Sequence, residues 1–193
     1  MVTADPIQVA LRVAEALESC GVAYVVGGSV ASSITGEPRS TLDVDIAIAM
    51  TEQQVEPFLA ALGDEFYAER DSLLRAIREK KSANLIHQET STKVDLFISG
   101  RSLLDAQQME RRERVAVMSD PERYLYVYTP EDILLQKLCW YRGGGEISDR
   151  QWRDVLGILR VQGNRIDTTY LRRSASTLDV RDLLDRALEQ VQT

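Results

Sequence analysis

Residues Leu42 to Ala49 read Leu-Asp-Val-Asp-Ile-Ala-Ile-Ala, and this alternation restricts the fold more than any other stretch of the chain. Successive side chains of a strand point to opposite faces. Leu42, Val44, Ile46 and Ile48 therefore share one face, while Asp43, Asp45, Ala47 and Ala49 share the other. The first face is wholly aliphatic and calls for a layer packed over it, so the strand belongs inside a sheet. On the second face the strand rise sets the Cα atoms of Asp43 and Asp45 about 6–7 Å apart. Carboxylates that close repel unless a cation neutralises them. Taken alone, the pair also reads as an acidic strand face open to solvent.

A third acid repeats the pattern. In Lys93-Val94-Asp95-Leu96-Phe97-Ile98, Asp95 is a single carboxylate with Val94, Leu96 and Ile98 on the opposite face. If the two strands are neighbours, three acids converge on one patch. Hard divalent cations take oxygen ligands and often keep substrate phosphates in their shell. Two such ions support in-line displacement at phosphorus. By itself, Asp95 reads equally as a surface acid paired with Lys93.

The turn Gly27-Gly28-Ser29 supplies the complementary half. It follows a β-branched and aromatic strand, Val22 to Val26, and precedes a helix opening near Val30. Glycines let backbone N–H groups approach an anion closely, a helix N-terminus favours negative charge, and Ser29 adds a hydroxyl donor. Between turn and acids, Arg39 offers a cation to a phosphate and Thr41 a brace for the acid-bearing strand.

Around this core the chain alternates helices and strands. Asp5 and Pro6 start a helix that Gly21 ends, with Val9, Val13, Ala16 and Leu17 at helical spacing. Thr51 and Gln54 form a capping box for a helix reaching about Leu62. Further helices are expected over Ser72 to Lys80 and Ser102 to Arg112. Strands are expected over Asn84 to Gln88 and Lys93 to Ile98, and two apolar stretches follow at Val115 to Met118 and Tyr124 to Tyr128. From Thr129 the pattern is helical only. Thr129-Pro130-Glu131-Asp132 opens a helix, Gly143-Gly144-Gly145 breaks it, Ser148 starts another, and Asp167 and Asp179 cap two more. The fold class expected is α+β, a mixed sheet flanked by helices over 1–128 and a C-terminal helical bundle over 129–193.

Composition removes other classes. Against 23 basic residues stand 30 acidic ones, a net charge of −7, which argues against coating nucleic acid by charge alone. A single histidine, His87, rules out multi-histidine zinc sites and reads as structural. The two cysteines, Cys20 and Cys139, have no metal-like spacing and suit a reducing compartment. The longest charge-free run, Ser19 to Gly36, is interrupted by glycine, serine and threonine, so no membrane partner is expected. The expected location is the cytoplasm. The basic stretch Arg70, Arg75, Arg78, Lys80 and Lys81 is diluted by Asp71 and Glu79 and reads first as a solvated helix face. Trp140, Tyr141 and Trp152 are spaced to pack the tail helices.

Gly27-Gly28-Ser29, then Arg39-Ser-Thr41-Leu-Asp43-Val-Asp45, then Asp95 on a later strand, resembles the nucleotidyltransferase superfamily, whose fold is shared with the catalytic core of DNA polymerase beta. The resemblance implies Mg²⁺-dependent transfer of a nucleoside monophosphate from an NTP, usually ATP, to a hydroxyl. It gives Gly27, Gly28 and Ser29 to the phosphates, with Arg39 and Thr41 beside them. Asp43, Asp45 and Asp95 would bind two ions, Mg²⁺ or alternatively Mn²⁺, and Asp95 would help deprotonate the acceptor. The tail, from Thr129-Pro-Glu131-Asp132 through Lys137 and Arg142 to Asp149-Arg150-Gln-Trp152-Arg153-Asp154, is similar to abortive-infection nucleotidyltransferases, the toxin halves of some toxin–antitoxin pairs. It implies an antitoxin partner and nucleotide contacts from Lys137 and Asp154. Read without the resemblance, Lys137 is a solvated helix residue and Asp154 a surface partner of Arg153. The acceptor stays open between tRNA, protein and a small hydroxylated molecule. The competing reading of the whole chain is a catalytically silent nucleotide-binding regulatory or interaction module.

Overall fold

The computed structural model describes residues 5–37, 43–100 and 103–192. They divide into two compact units, one drawn from 1–30 and 40–128, the other from 31–39 and 129–193. Arg39 and Thr41 lie outside the described residues.

The first unit is built on one sheet. Its strands are β1 (Ala23–Val26), β2 (Asp43–Ala49), β3 (Phe66–Ala68), β4 (Ser82–His87), β5 (Thr92–Ile98), β6 (Glu113–Ser119) and β7 (Glu122–Val127). Their order across the sheet is β3-β4-β5-β2-β1-β7-β6. The β2–β5 and β1–β7 pairs are parallel and the others antiparallel, so the sheet is mixed. Helices α1 (Pro6–Ser19), α3 (Val55–Leu62) and α4 (Arg70–Glu79) form the covering layer. Asp5 caps α1 by accepting from the Ile7 N–H at 3.0 Å. Val9, Val13 and Leu17 of α1 are buried, as are Val44, Ile46 and Ile48 of β2, which gives the aliphatic face of β2 the apolar cover its sequence demands. Burying each such side chain contributes about 1.5–3 kcal/mol. The acids of β2 occupy the other face.

The structure differs from the sequence reading in a few places. β3 is an additional strand: three residues at a sheet edge, with Tyr67 62% exposed, carry no readable alternation. α4 starts at Arg70, two residues before the expected Ser72. The two apolar stretches after α5 (Leu103–Arg111) are a hairpin, β6 with β7. Asp179, expected to cap a helix, lies two residues before α9 (Arg181–Gln192) begins. It adopts φ +57° in the turn between α8 (Thr168–Thr177) and α9.

His87, expected to be structural, ends β4. Its Nδ1 lies 2.8 Å from the Thr90 hydroxyl and its ring 5.1 Å from that of Phe66. Three cations of the basic stretch at α4 pair locally: Arg70 with Glu56, Arg78 with Glu52 at 2.6 Å, and Lys81, just past the helix, with Glu79 at 2.7 Å.

In the second unit, α6 (Pro130–Gly143), α7 (Asp149–Gln162), α8 and α9 pack together. Thr129 caps α6 and Asp167 caps α8. Asp132 is fully buried, yet its carboxylate accepts from Thr129 Oγ1 at 2.9 Å and from the Tyr170 hydroxyl at 2.6 Å, so its burial is compensated. The Tyr141 and Trp152 rings sit 5.2 Å apart, the packing role expected for them, whereas Trp140 is 43% exposed. Residues 31–37 are held by α7: Gln162 donates to the Thr35 carbonyl, Ile158 packs on Gly36, and Arg160 pairs with Glu37 at 3.5 Å. Among the described residues no helix is long and apolar enough to cross a membrane.

Candidate active site

β1 and β2 run antiparallel, with Val26 opposite Ile46. Just past that pair, the Gly27 N–H donates to the Asp45 carbonyl at 2.8 Å, tying the glycine turn to the acid-bearing strand. Gly28 takes φ +58°, the left-handed region where glycine carries no steric penalty. A Cβ at Gly28 would fall 2.6 Å from Asp45 Cγ and nearer still to Oδ2. The turn backbone therefore lies directly against the Asp45 carboxylate, an approach that only glycine permits. Helix α2 (Gly28–Thr35) begins at that point. The first N–H groups of a helix have no partner within it and carry its positive dipole end. Ser29 is the second residue of this turn.

On the other side, β2 and β5 are parallel, with Asp43 opposite Lys93 and Asp45 opposite Asp95. Residues in register point to the same face of strands about 4.7–4.9 Å apart. Asp45 is thus flanked by Gly28 and Asp95, and Asp43 lies one pleat along. Val44, Ile46, Val94 and Leu96 between them are completely buried and fix both strands. Antiparallel β4 places Asn84 opposite Asp95, so Asn84, Asp95 and Asp45 form a polar row across three strands. Asn84 was readable only as the start of a strand, since its position in the row depends on pairing between distant segments.

Lys93 belongs to the same face. Its Nζ lies 2.8 Å from the Asp95 carboxylate, whose side chain is 17% exposed. The hydrogen bond to Asp95 holds the Lys93 ammonium above its ordinary pKa against the cost of partial burial, and the charges of Asp95, Asp43 and Asp45 add to the effect. The two sequence readings of Asp95 are therefore both realised: it pairs with Lys93, and it stands beside Asp45.

The donor set suits a hard divalent cation, being carboxylate oxygens on one face next to a backbone turn with no room for a side chain. Among the described residues, no three His, Cys, Asp or Glu side chains are already gathered to hold an ion. Asp95 is turned to Lys93 instead. Lys137 and Asp154 are brought together within the helical unit. The Lys137 Nζ is 2.6 Å from Asp154 Oδ2, with side-chain exposures of 2% and 8%. Neither is the solvated residue that the sequence suggested without the resemblance.

Comparison with solved structures decides the architecture. The chain is similar to the antibiotic-resistance factor ANT(2'')-Ia, with 13% identity over 98% of this chain and 97% of the other and a TM-score of 0.55. The chain has the nucleotidyltransferase fold. It is also similar to the lincosamide antibiotic adenylyltransferase LnuA in its lincomycin-bound form, with 16% identity, 81% of this chain and 96% of that one covered, and a TM-score of 0.50. A nucleotidyltransferase-like protein from Paracoccidioides brasiliensis matches at 17% identity over 97% and 94% of the two chains, with a TM-score of 0.50. No model of a known protein family matches the chain, and no curated protein matches it in sequence. On this fold the glycine turn and the carboxylates of β2 and β5 occupy adjoining strands, as the order of the sequence motifs implies.

Proposed function

We propose that the chain is a metal-dependent nucleotidyltransferase moving a nucleoside monophosphate from an NTP, ATP first among them, to an acceptor hydroxyl. The observation that carries this reading is the position of Asp45, in register with Asp95 on one side and pressed against the Gly28 backbone on the other. A triphosphate needs both halves, donors for its oxygens and oxygen ligands for its cation.

In this reading Gly28 and Ser29 present the first N–H groups of α2, and Ser29 its hydroxyl, to the phosphates. Gly27 serves by fixing the turn, since its N–H is bonded to Asp45. Asp43, Asp45 and Asp95 are the residues that would hold Mg²⁺ or Mn²⁺. The ion, when bound, would supply neutralisation of the charge on the triphosphate oxygens. Asp95 accepts the proton of the acceptor hydroxyl as its oxygen attacks the α-phosphorus. One O–P bond forms, the bond to the bridging oxygen breaks, and pyrophosphate leaves with that electron pair. Donors fixed before the reaction stabilise the developing charge without reorganising.

Of the three acceptor classes, the small hydroxylated molecule is the one we favour. Two structural neighbours are described as an antibiotic-resistance factor and an antibiotic adenylyltransferase, and a net charge of −7 opposes a large RNA. The test is incubation of the purified chain with labelled NTPs, Mg²⁺ and a cell extract, followed by sorting of the label. Label in a small-molecule fraction, lost in Asp43→Asn and Asp95→Asn, is the expected result. Label in tRNA or protein would move the acceptor to the toxin-like class. Nucleotide binding without label transfer or pyrophosphate release would leave a silent binding module.

A further inference from the structure

We propose that Lys93 is a built-in counter-cation of the acid cluster: its ammonium occupies Asp95 in the ion-free chain and must yield that carboxylate when a divalent ion binds. The inference deepens the proposed function and rests on its reading of Asp43, Asp45 and Asp95 as ion ligands. Lys93 is not an edge decoration. β5 is an inner strand, paired with β4 on one side and β2 on the other. The i, i+2 spacing puts Lys93 on the same face as Asp95, and the parallel register puts it opposite Asp43. Its Nζ lies 2.8 Å from Asp95, and the charges of Asp43 and Asp45 act on it as well.

Two consequences follow from Coulomb's law. First, three carboxylates on adjoining strands would repel strongly without a positive partner, and Lys93 relieves that repulsion while the chain awaits its ion. Second, an ammonium bonded to one ligand opposes the arrival of a doubly charged ion, both by occupying the ligand and by repulsion. Lys93 therefore makes ion binding weaker and more dependent on the triphosphate that arrives with it. It is a positioning residue: it acts through Asp95, whose carboxylate it holds in place.

The experiment uses the full chain and Mn²⁺ as the probe, with free Mn²⁺ read by electron paramagnetic resonance. Wild type is compared with Lys93→Met and Lys93→Gln, which remove the charge, and with Lys93→Arg, which keeps it. Loss of one positive charge beside a dication in partly solvated surroundings should tighten Mn²⁺ binding by about tenfold. Lys93→Arg should stay within about twofold of wild type on the same reasoning. Thermal melts should show a lower ion-free Tm for Met and Gln and a larger rise on adding Mn²⁺. A structural role alone would lower Tm and leave the Mn²⁺ dissociation constant unchanged. Should the Met variant not fold, the Gln variant carries the comparison. Equal or weaker Mn²⁺ binding in the charge-free variants, with wild type binding normally, overturns the role of Lys93 and leaves the ion site standing. No Mn²⁺ binding in any variant, with or without ATP, overturns both.

Discussion

Breaking the Lys137–Asp154 pair should be among the most damaging single changes to the helical unit. The two charges are 2.6 Å apart, and their side chains are 2% and 8% exposed. Removing one partner takes away the charge 2.6 Å from the other, and breaking a buried pair costs about 3–5 kcal/mol. In a chain of 193 residues each kcal/mol lowers Tm by about 2–4 °C, so Lys137→Met and Asp154→Leu should each lose roughly 6–20 °C. The double change Lys137→Met with Asp154→Leu should recover most of the loss, because a well-packed apolar pair often replaces a buried ion pair at little or no cost. Calorimetric melts of the four proteins close a double-mutant cycle, and its coupling energy should exceed about 1 kcal/mol. Single losses of under about 1 kcal/mol would show a solvated pair and refute the reasoning, since that is the range of exposed ion pairs. The recovered double variant also separates two roles. If it is stable but transfers no nucleotide, the pair has the nucleotide-contacting role that the resemblance implies. If it is stable and active, the pair is architecture.

Three further outcomes are expected. Gly28→Ala should abolish nucleotide transfer and ATP binding, because its Cβ meets Asp45, whereas Gly21→Ala, at φ +64° with nothing within 4 Å, should cost only about 1–2 kcal/mol of stability and leave activity intact. Equal effects in nucleotide binding and urea melts would refute the close approach. Asp182 is held below its usual carboxylate pKa chiefly by the hydrogen bond from Arg142. A lowered folded pKa stabilises above the unfolded value and is lost as pH falls through the folded one, so Arg142→Gln should lose less stability than wild type between neutral pH and pH 3, read by urea midpoints. The Cys139 thiol is pushed up chiefly by burial, so in the native chain at pH 8 it should react with a disulfide reagent several-fold more slowly than a free thiol, and at the free-thiol rate in urea. Fast reaction of the native chain would contradict its burial.

The face of each acid was legible because alternation is a local property. Val44 and Ile46, like Val94 and Leu96, could only be inward, so Asp43, Asp45 and Asp95 had to be outward from that layer. The adjacency of β2 and β5 was not legible in the same sense. It depends on pairing between segments separated by two helices and two strands, and only the order of motifs suggested it. Lys93 was legible as a partner for Asp95, but its position opposite Asp43 required the parallel register. The burial of Lys137 and Asp154 was hidden for a further reason. Asp154 stands beside charged residues such as Arg153, Lys137 is a single charge between Gln136 and Leu138, and nothing local shows that α6 and α7 bring the two together out of water.

On the proposed function, the charge arrangement at this end of the sheet favours one kind of ligand. Asp43, Asp45 and Asp95 share one face with Lys93, beside the positive end of α2. An anionic triphosphate alone would be drawn to the helix end and repelled by the acids. A divalent cation alone would be drawn to the acids and opposed by Lys93. A cation–triphosphate pair answers both, since its cation faces the carboxylates while its phosphate oxygens face the turn. On the proposed function, the closeness of Gly28 to Asp45 would let donors and ligands share one small volume and hold a partly neutralised pair better than either separate ion. It follows that ATP and the ion should bind with positive coupling, each tightening the other by the same factor. Independent binding, measured by titrating one at saturating and at zero concentrations of the other, would break this argument even if both ligands bind.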